Sequence, residues 1–518
     1  MKRRRYLSLL GAAGAAGLTG CSGAAELDSV TPGDDAGANR TGGNGSGGPR
    51  SRTITPERQR LAALESAYDT VAHLVDDLGC DPTGAESCVA AVANAAGDDT
   101  LLVVPEGRFL VDGRLQIADV EHFAIYGRPG ATFVAPPDHN GDWLVVDWGT
   151  DLLVEGFDVD VRAANAAPSL QFGAADDLVV RDVEVIGRGM RDDSEPGPAD
   201  GHTLVGNALL PIVRSPDGTG LVENFVARSG GRIGTYNGGE GRVGIFVGRS
   251  NVGTIRIVDC RLEEFPNNGI YASRTNGVVQ VEGGVYRNND VSQVRLGTEG
   301  SYVDGTTMAI DTTAVRPPNR PRDYMYPRGV RIESGSFDTA GVVVRDVDVT
   351  VTHGPGPAIA AGHNGGRFAI RDSHVRYDGE GGAAIIGKPP TGGGNHGPPP
   401  RPYHGRIENV TVTGTAAGTD AVRLVGRPAS TVEHCRLSLS GTGTNGVRLE
   451  RSPGSTVRDT GIRVERFPLV VEGRAADGAD CLVELIEEFD VPFSGGDRDG
   501  RALARVSRSG TFCVGPAA

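Results

Sequence analysis

Lysine is all but missing from this chain: of 51 basic side chains only Lys2 and Lys388 are lysines, and arginine supplies the rest. Positive charge of either kind is outnumbered by 66 acidic residues, for a formal charge of −15. That balance argues against nucleic acid as a partner. No helical period persists between the apolar segments, which argues against β-α-β units. C-x-x-C and H-E-x-x-H spacings are absent, and with them the common zinc sites. Aromatics make up only 5% of 518 residues while glycine reaches 78, a composition suited to one long single-core solenoid without a second globular domain.

What is present begins with an export signal. MKRRRYLSLLGAAGAAGLTGC joins a basic segment, an apolar run too short to span a bilayer and a small-residue stretch ending at Cys21. Arg3, Arg4, Tyr6 and Leu7 resemble a twin-arginine motif, and Leu18, Thr19, Gly20 and Cys21 resemble a bacterial-type lipobox. The resemblance implies export of a folded protein, removal of residues 1–20 and a lipid on Cys21, the chain's only expected membrane contact. Removal takes four basic residues and no acid, leaving a charge of −19. The acidity and the arginine bias together resemble a halophilic archaeal surface protein. Residues 21–60, rich in Gly, Ser, Asp and Asn, read as a disordered tether. Sequons begin at Asn39, Asn44 and Asn409.

Beyond the tether one short strand phrase keeps returning: GIFVGR, NGIYASR, QVRLGT, GVRIES, AIAAGH, AIIGK, AVRLVG and GVRLER. Its anchors are Ile245, Ile270, Val294, Val330, Ile359, Ala384, Val422 and Val447, at steps of 25, 24, 36, 29, 25, 38 and 25 residues. A period in this range marks stacked repeats that bury their faces only against neighbours. The two long steps become insertions, at 299–328 and 389–405. Alternating phrases such as TIRIVDCRL and GVVVRDVDVTV supply further period-2 strands. Short strands at a period near 24, with no crossover helix, predict a right-handed single-stranded parallel β-helix over residues 114–475.

A helical pattern over Leu61–Leu78 and the stretch 79–111 form an expected N-terminal cap, 61–113; residues 476–518 form a C-terminal one. In the N-terminal cap, Asp81, Pro82, Thr83, Gly84, Pro105, Gly107 and Phe109 match a D-P-T-G phrase followed by a P-x-G-x-Y/F strand. This resembles the cap of pectate-lyase-like proteins and phage tailspikes, although Ser87 stands where an Asp is usual. The resemblance to the pectin-lyase-like superfamily covers most of 79–475 and implies the fold. It leaves function open, because that architecture hosts lyases, hydrolases, epimerases and adhesins.

Six cysteines remain beside Cys21 in an oxidising compartment. Cys80 with Cys88, and Cys481 with Cys513, are the expected disulfides, by proximity and by position at the two ends. Cys260 and Cys435 occupy equivalent places about seven coils apart, on the order of 30 Å at 4.8 Å per coil, and are expected to be buried thiols.

Strand alternation sorts the repeats into inside and outside. With the anchors inward, the next residues point out: Phe246, Tyr271, Arg295, Arg331, Ala360, Ile385, Arg423 and Arg448. Two further on come Gly248, Ser273, Gly297, Glu333, Gly362, Gly387, Val425 and Glu450, and the strand ends carry His363 and Lys388. The middle coils therefore gather Tyr271, Arg295, Arg331, Glu333, His363 and Lys388 on one surface, with glycines leaving room for a ligand. The insertions add Asp304, Asp311, Arg316, Tyr324, Tyr326 and Arg328, then His396, Tyr403 and His404. A solvated charge ladder and a Pro-rich spacer are the plain alternatives.

A row of Arg, Tyr, His and Lys on an acidic protein fits an acidic polysaccharide as partner. In β-elimination of a uronate, Arg295 and Arg331 would neutralise the C5 carboxylate. His363 or Lys388 would abstract the proton, and Tyr271 or Tyr326 would protonate the leaving oxygen. Epimerisation shares the first two steps. A hydrolase would need two carboxyls, Glu333 with Asp311 or Asp304. The family signatures of polygalacturonases (N-T-D, D-D, G-H-G, R-I-K) and of pectate lyases (R-x-P-x-x-R) are not assembled: GHN, RIE and RPPNRP are partial echoes. A non-catalytic glycan-binding or envelope protein is the competing class. The acidic loop with Asp192, Asp193 and Glu195 could take calcium, although plain surface charge is the stronger reading there. A monomer is expected.

Overall fold

The computed structural model describes residues 56–189, 206–231, 233, 241–316, 326–335, 340–392 and 397–472, with the backbone of strands Leu482–Leu485 and Gly510–Cys513. The export signal with Cys21, most of the tether, Asn39, Asn44, Asp192, Asp193, Glu195, Tyr324, His396 and Cys481 lie outside the described residues.

The chain is a right-handed parallel β-helix. Each coil contributes three short strands to three sheets, as in Ser292–Leu296, Ser301–Asp304 and Thr307–Asp311, and each pairs in parallel with its counterpart one coil on. The recurring phrases form the first sheet. Its inward column runs from Leu115 through Leu144, Leu170 and Leu209 to Ile245, Ile270, Val294 and Val330, and on to Leu469. These side chains belong to a single continuous core, so each coil buries its apolar face against the next.

The corner between the second and third sheets repeats one backbone solution. Asp182, Asn224, Asp259, Asp346, Asp372, Asn409, His434 and Asp459 all adopt φ between 48° and 54°. Gly283 and Gly305 take the same place at 62°. Asp and Asn tolerate the left-handed region because their short polar side chains bond locally. Asn224 donates to Asp182 and Asn409 to Asp372, at 2.7 and 2.6 Å.

Three expectations change here. The helix spans only Pro56–Glu65, because Thr70–His73 pairs with Thr100–Val104 as the first strand of the second sheet. Open sheet pairing offered to β-branched Thr70 and Val71 overrides the local helical pattern. The short helix Val89–Ala95 packs its partly buried and buried positions on the core, and Asp81 stitches the D-P-T-G turn. Its carboxylate accepts bonds from Thr83 N and Oγ1 and from Ala85 and Glu86 N, which hold it down at about 2.

The second change is to the insertion at 299–328: Ser301–Asp304 and Thr307–Asp311 are scaffold strands, so the extra chain starts after Asp311. Third, Cys80 and Cys88 are buried free thiols rather than a disulfide. Burial pushes Cys88 up to about 12, with Cys80 adding to the rise. Cys260 and Cys435 are buried and free as expected, and Cys513 lies opposite Leu482 in an antiparallel strand pair.

Candidate functional site

The first sheet positions the site, through a register that differs by one residue from the repeat alignment. Ile359 pairs with Ile385, not Ala384. Ala383, Ala384 and Ile385 are all buried, so apolarity alone does not mark the true anchor. Because side chains alternate, this slip moves Ile386 into the outward column, turns Gly387 inward and carries Lys388 outward beside Gly362. Lys388 thus shares the second outward column with Glu333, one coil beyond Gly362.

Glu333 sits at the centre of a cationic cluster. Its Oε2 accepts from Arg295 Nη2 at 2.7 Å and its Oε1 pairs with Arg331 Nη2 at 2.7 Å, with only 10% of the side chain exposed. Burial pushes this carboxyl up, and the two guanidiniums more than offset it, so it lies below the usual glutamate value. Arg295 lies 4.3 Å over the Tyr271 ring, and Tyr271 meets Phe246 edge-on at 5.4 Å. Arg295 Nε is buried with no hydrogen-bond partner among the described residues.

Two more cations join from the loops. Arg328 stacks 4.4 Å over Tyr326 and donates to the carbonyls of Val291 and Tyr326. Burial, then Arg331, lowers it to about 10. Lys388 lies below the usual lysine value through burial, Arg328 and Arg331, against the opposing pull of Glu333. Four basic side chains, Arg295, Arg331, Arg328 and Lys388, therefore gather around Glu333. At its edge Asp290 accepts from Tyr326 N at 3.2 Å.

The glycines play another part than the one expected of them. A Cβ on Gly362 would sit 2.6 Å from Glu333 Oε1 and 2.7 Å from its Cγ. One on Gly297 would meet the Glu333 backbone carbonyl, and one on Gly387 would come within 2.8 Å of Arg427. The space is taken by this chain's own groups rather than left for a ligand.

Not every expected residue reaches the cluster. His363 lies at an exposed corner, its Nδ1 2.9 Å from Pro389 O. Asp304 pairs with Arg345 on the second sheet at 2.8 Å, and Asp311 faces His353 on the third at 3.3 Å while capping Thr313. The carboxyl pairs proposed for hydrolysis are thus on different faces from Glu333. Arg316 turns back onto Glu263 and Glu264, at 3.0 and 2.6 Å. His404 lines a separate cavity of about 400 Å³ on the second sheet, with Tyr302, Arg345, Arg367, Phe368 and Arg406. Burial, then Arg406 and Arg367, lowers its pKa. Half-buried Tyr403 gives its carbonyl to Arg427.

Arg427 is the residue that sequence patterns miss. Wholly buried, it donates to the carbonyls of Gly362, Gly365, Gly366, Lys388 and Tyr403 between 2.7 and 3.2 Å. It therefore ties the strand end at Lys388 to the turn after Gly362 and to the Pro-rich loop. Burial lowers it to about 10. In sequence it reads as one more surface arginine.

No family model and no curated protein matches the chain. Among solved structures it is similar to the Streptococcus pneumoniae surface protein and adhesin PfbA: 12% identity, 78% of this chain, 96% of that one and a TM-score of 0.43. It is likewise similar to the catalytic unit of a GH87 alpha-1,3-glucanase from Streptomyces thermodiastaticus, at 12% identity over 81% of this chain and 68% of that one, TM-score 0.43. The Azotobacter vinelandii mannuronan C-5 epimerase AlgE4 A-module matches at 15% identity, 74% of this chain and all of its own, TM-score 0.38. At identities this low the chemistry has to be read from this chain's own side chains.

Proposed function

We propose that this is an exported, lipid-anchored surface protein that binds an acidic polysaccharide at the Glu333 cluster and abstracts the C5 proton of a uronate, leading to β-elimination or epimerisation. The observation that carries this is the gathering of four basic side chains around Glu333, with a lysine of lowered pKa among them.

Arg295 and Arg331 are held in place by Glu333, and the surplus positive charge draws a substrate carboxylate to them. Charge neutralisation there makes the C5 proton more acidic. Lys388, whose pKa is lowered by burial and by the neighbouring guanidiniums, takes that proton through Nζ. Tyr271, beneath Arg295, supplies a phenol for the leaving oxygen. The hydrolytic alternative loses support because Asp304 and Asp311 face elsewhere.

A non-catalytic glycan-binding reading has one observation in its favour. Arg423 with Glu450, and Arg448 with Asp420 and Glu472, form comparable pairs further along the same sheet, so Arg–acid ladders also serve the scaffold. Ultraviolet absorbance of unsaturated product, with C5 proton exchange in heavy water, over a panel of uronates at high salt separates the two. Turnover lost in Lys388→Ala and Arg331→Ala is expected. Absence of turnover and exchange on every uronate, with glycan binding unaltered in both variants, would overturn the catalytic reading.

A further inference from the structure

We infer that Trp148 is a sugar-stacking platform for the distal part of the same polysaccharide chain, an inference that rests on the function proposed above. Trp148 is the one large hydrophobic side chain exposed among the described residues, at 63%. The protein's other tryptophan, Trp143, is wholly buried and donates Nε1–H to Val111 O at 2.8 Å.

The exposure is built rather than incidental. Phe172 pairs with Val146 and Ala174 with Gly149, so Asp147 and Trp148 together oppose the single residue Gly173 in a β-bulge. Bulges re-aim side chains, and Trp148 takes φ +64°, a conformation bulky residues seldom adopt. What holds it there is Asp147, almost fully buried. Its carboxylate accepts from Trp148 N at 2.8 Å, from Gln171 Nε2 at 2.8 Å, and from Arg214 Nε and Nη2 at 2.8 and 2.5 Å. Any Cβ on Gly173 would collide with Asp147 Oδ1. The Arg214 guanidinium in turn lies 3.9 Å over the indole, backing one face of the ring.

These contacts determine the ligand chemistry. Arg214 and Asp147 cancel one another, so this spot has no surplus charge for a carboxylate. What it offers is a rigid, supported aromatic face, suited to the C–H face of a pyranose ring. Trp148 belongs to the first-sheet strand five coils before Arg295, about 24 Å away along the axis. The neighbouring outward column, in register with Val145 three residues before Trp148, runs through the half-buried Gln171, Leu210 and Phe246 to Tyr271. One chain laid along this face meets the platform at one end and the cluster at the other, and bivalent engagement raises affinity only for chains long enough to reach both.

Acrylamide quenching of tryptophan emission in the full protein reads this directly, because one tryptophan is buried and one exposed. An octasaccharide of a uronate should shield the quenchable fraction while the disaccharide binds without shielding it. Trp148→Ala should weaken octasaccharide binding about three- to tenfold and leave disaccharide binding unchanged; Trp148→Phe, which keeps a ring, should retain most of the affinity. If both lengths bind with Trp148 still fully quenchable, the platform is overturned and the cluster stands. If neither length binds, the function proposed above fails and the inference falls with it.

Discussion

Glu333 makes the clearest residue-scale prediction, because it is buried between two half-buried guanidiniums. Its folded-state pKa lies below the ordinary value of 4.5, since Arg295 and Arg331 outweigh burial. For a carboxyl with a depressed value, the stabilisation is fully present above the unfolded pKa and is lost as pH falls through the folded one. Thermal midpoints of the native protein should therefore drop on acidification below about pH 4.5, and part of that drop should vanish in Glu333→Gln. The variant itself should lose about 1–3 kcal/mol at neutral pH, because two half-buried guanidiniums lose their counter-charge. A flat difference between the two proteins across this pH range, in calorimetric scans, would contradict the assignment. Which residues gather here was largely legible: Tyr271, Arg295, Arg331 and Glu333 follow from alternation alone. Arg427 was not, since nothing in a sequence separates an arginine that binds five carbonyls inside the fold from one that points to water.

At the scale of elements, the strand containing Lys388 shows how register governs a site. The A-A-I-I-G run offers several apolar anchors, and the structure selects Ile385 through its pairing with Ile359 and Val422. A single-residue shift reverses every side chain, which is why Gly387 faces Arg427 and Lys388 faces the cluster. Gly362 provides the test. Gly362→Ala adds a methyl group that would lie within 3 Å of Glu333 Oε1 and Cγ, forcing the carboxylate off its two arginines. The variant should keep its fold by circular dichroism while losing at least about tenfold in uronate affinity, as expected for a charge-assisted network disturbed by more than about 1.4 kcal/mol. Unchanged affinity would mean that the Arg295–Glu333–Arg331 bridge does not shape the site. The corner residues were equally hidden: the D, N and H that recur between the second and third sheets look like polar loop residues until their common left-handed φ is seen.

Across the whole molecule the dominant quantity is charge. Acidic residues outnumber basic ones by 15 over the whole chain, and salt shortens the range of the resulting repulsion from about 10 Å at 0.1 M to about 3 Å at 1 M. The thermal midpoint should rise over this interval. The cluster responds oppositely, since its attraction for a polyanion is screened by the same ions, so affinity should fall while stability climbs. Differential scanning calorimetry and a parallel binding titration check both signs; a midpoint that falls with salt would mean that surface ion pairs such as Arg256–Glu282 outweigh the net repulsion.

The period of the phrases by itself determined that the chain coils, that one aliphatic column runs inside it and that the middle coils carry the cations, because stacking and alternation are local rules that every repeat restates. The tertiary structure alone decided which apolar residue anchors each coil, which carboxylates share a face with Glu333 and which arginines are buried. Those outcomes depend on contacts between coils tens of residues apart, as when Asp304 and Asp311 turn to other sheets or Gly173 makes room for Asp147 beneath Trp148. No local pattern records them.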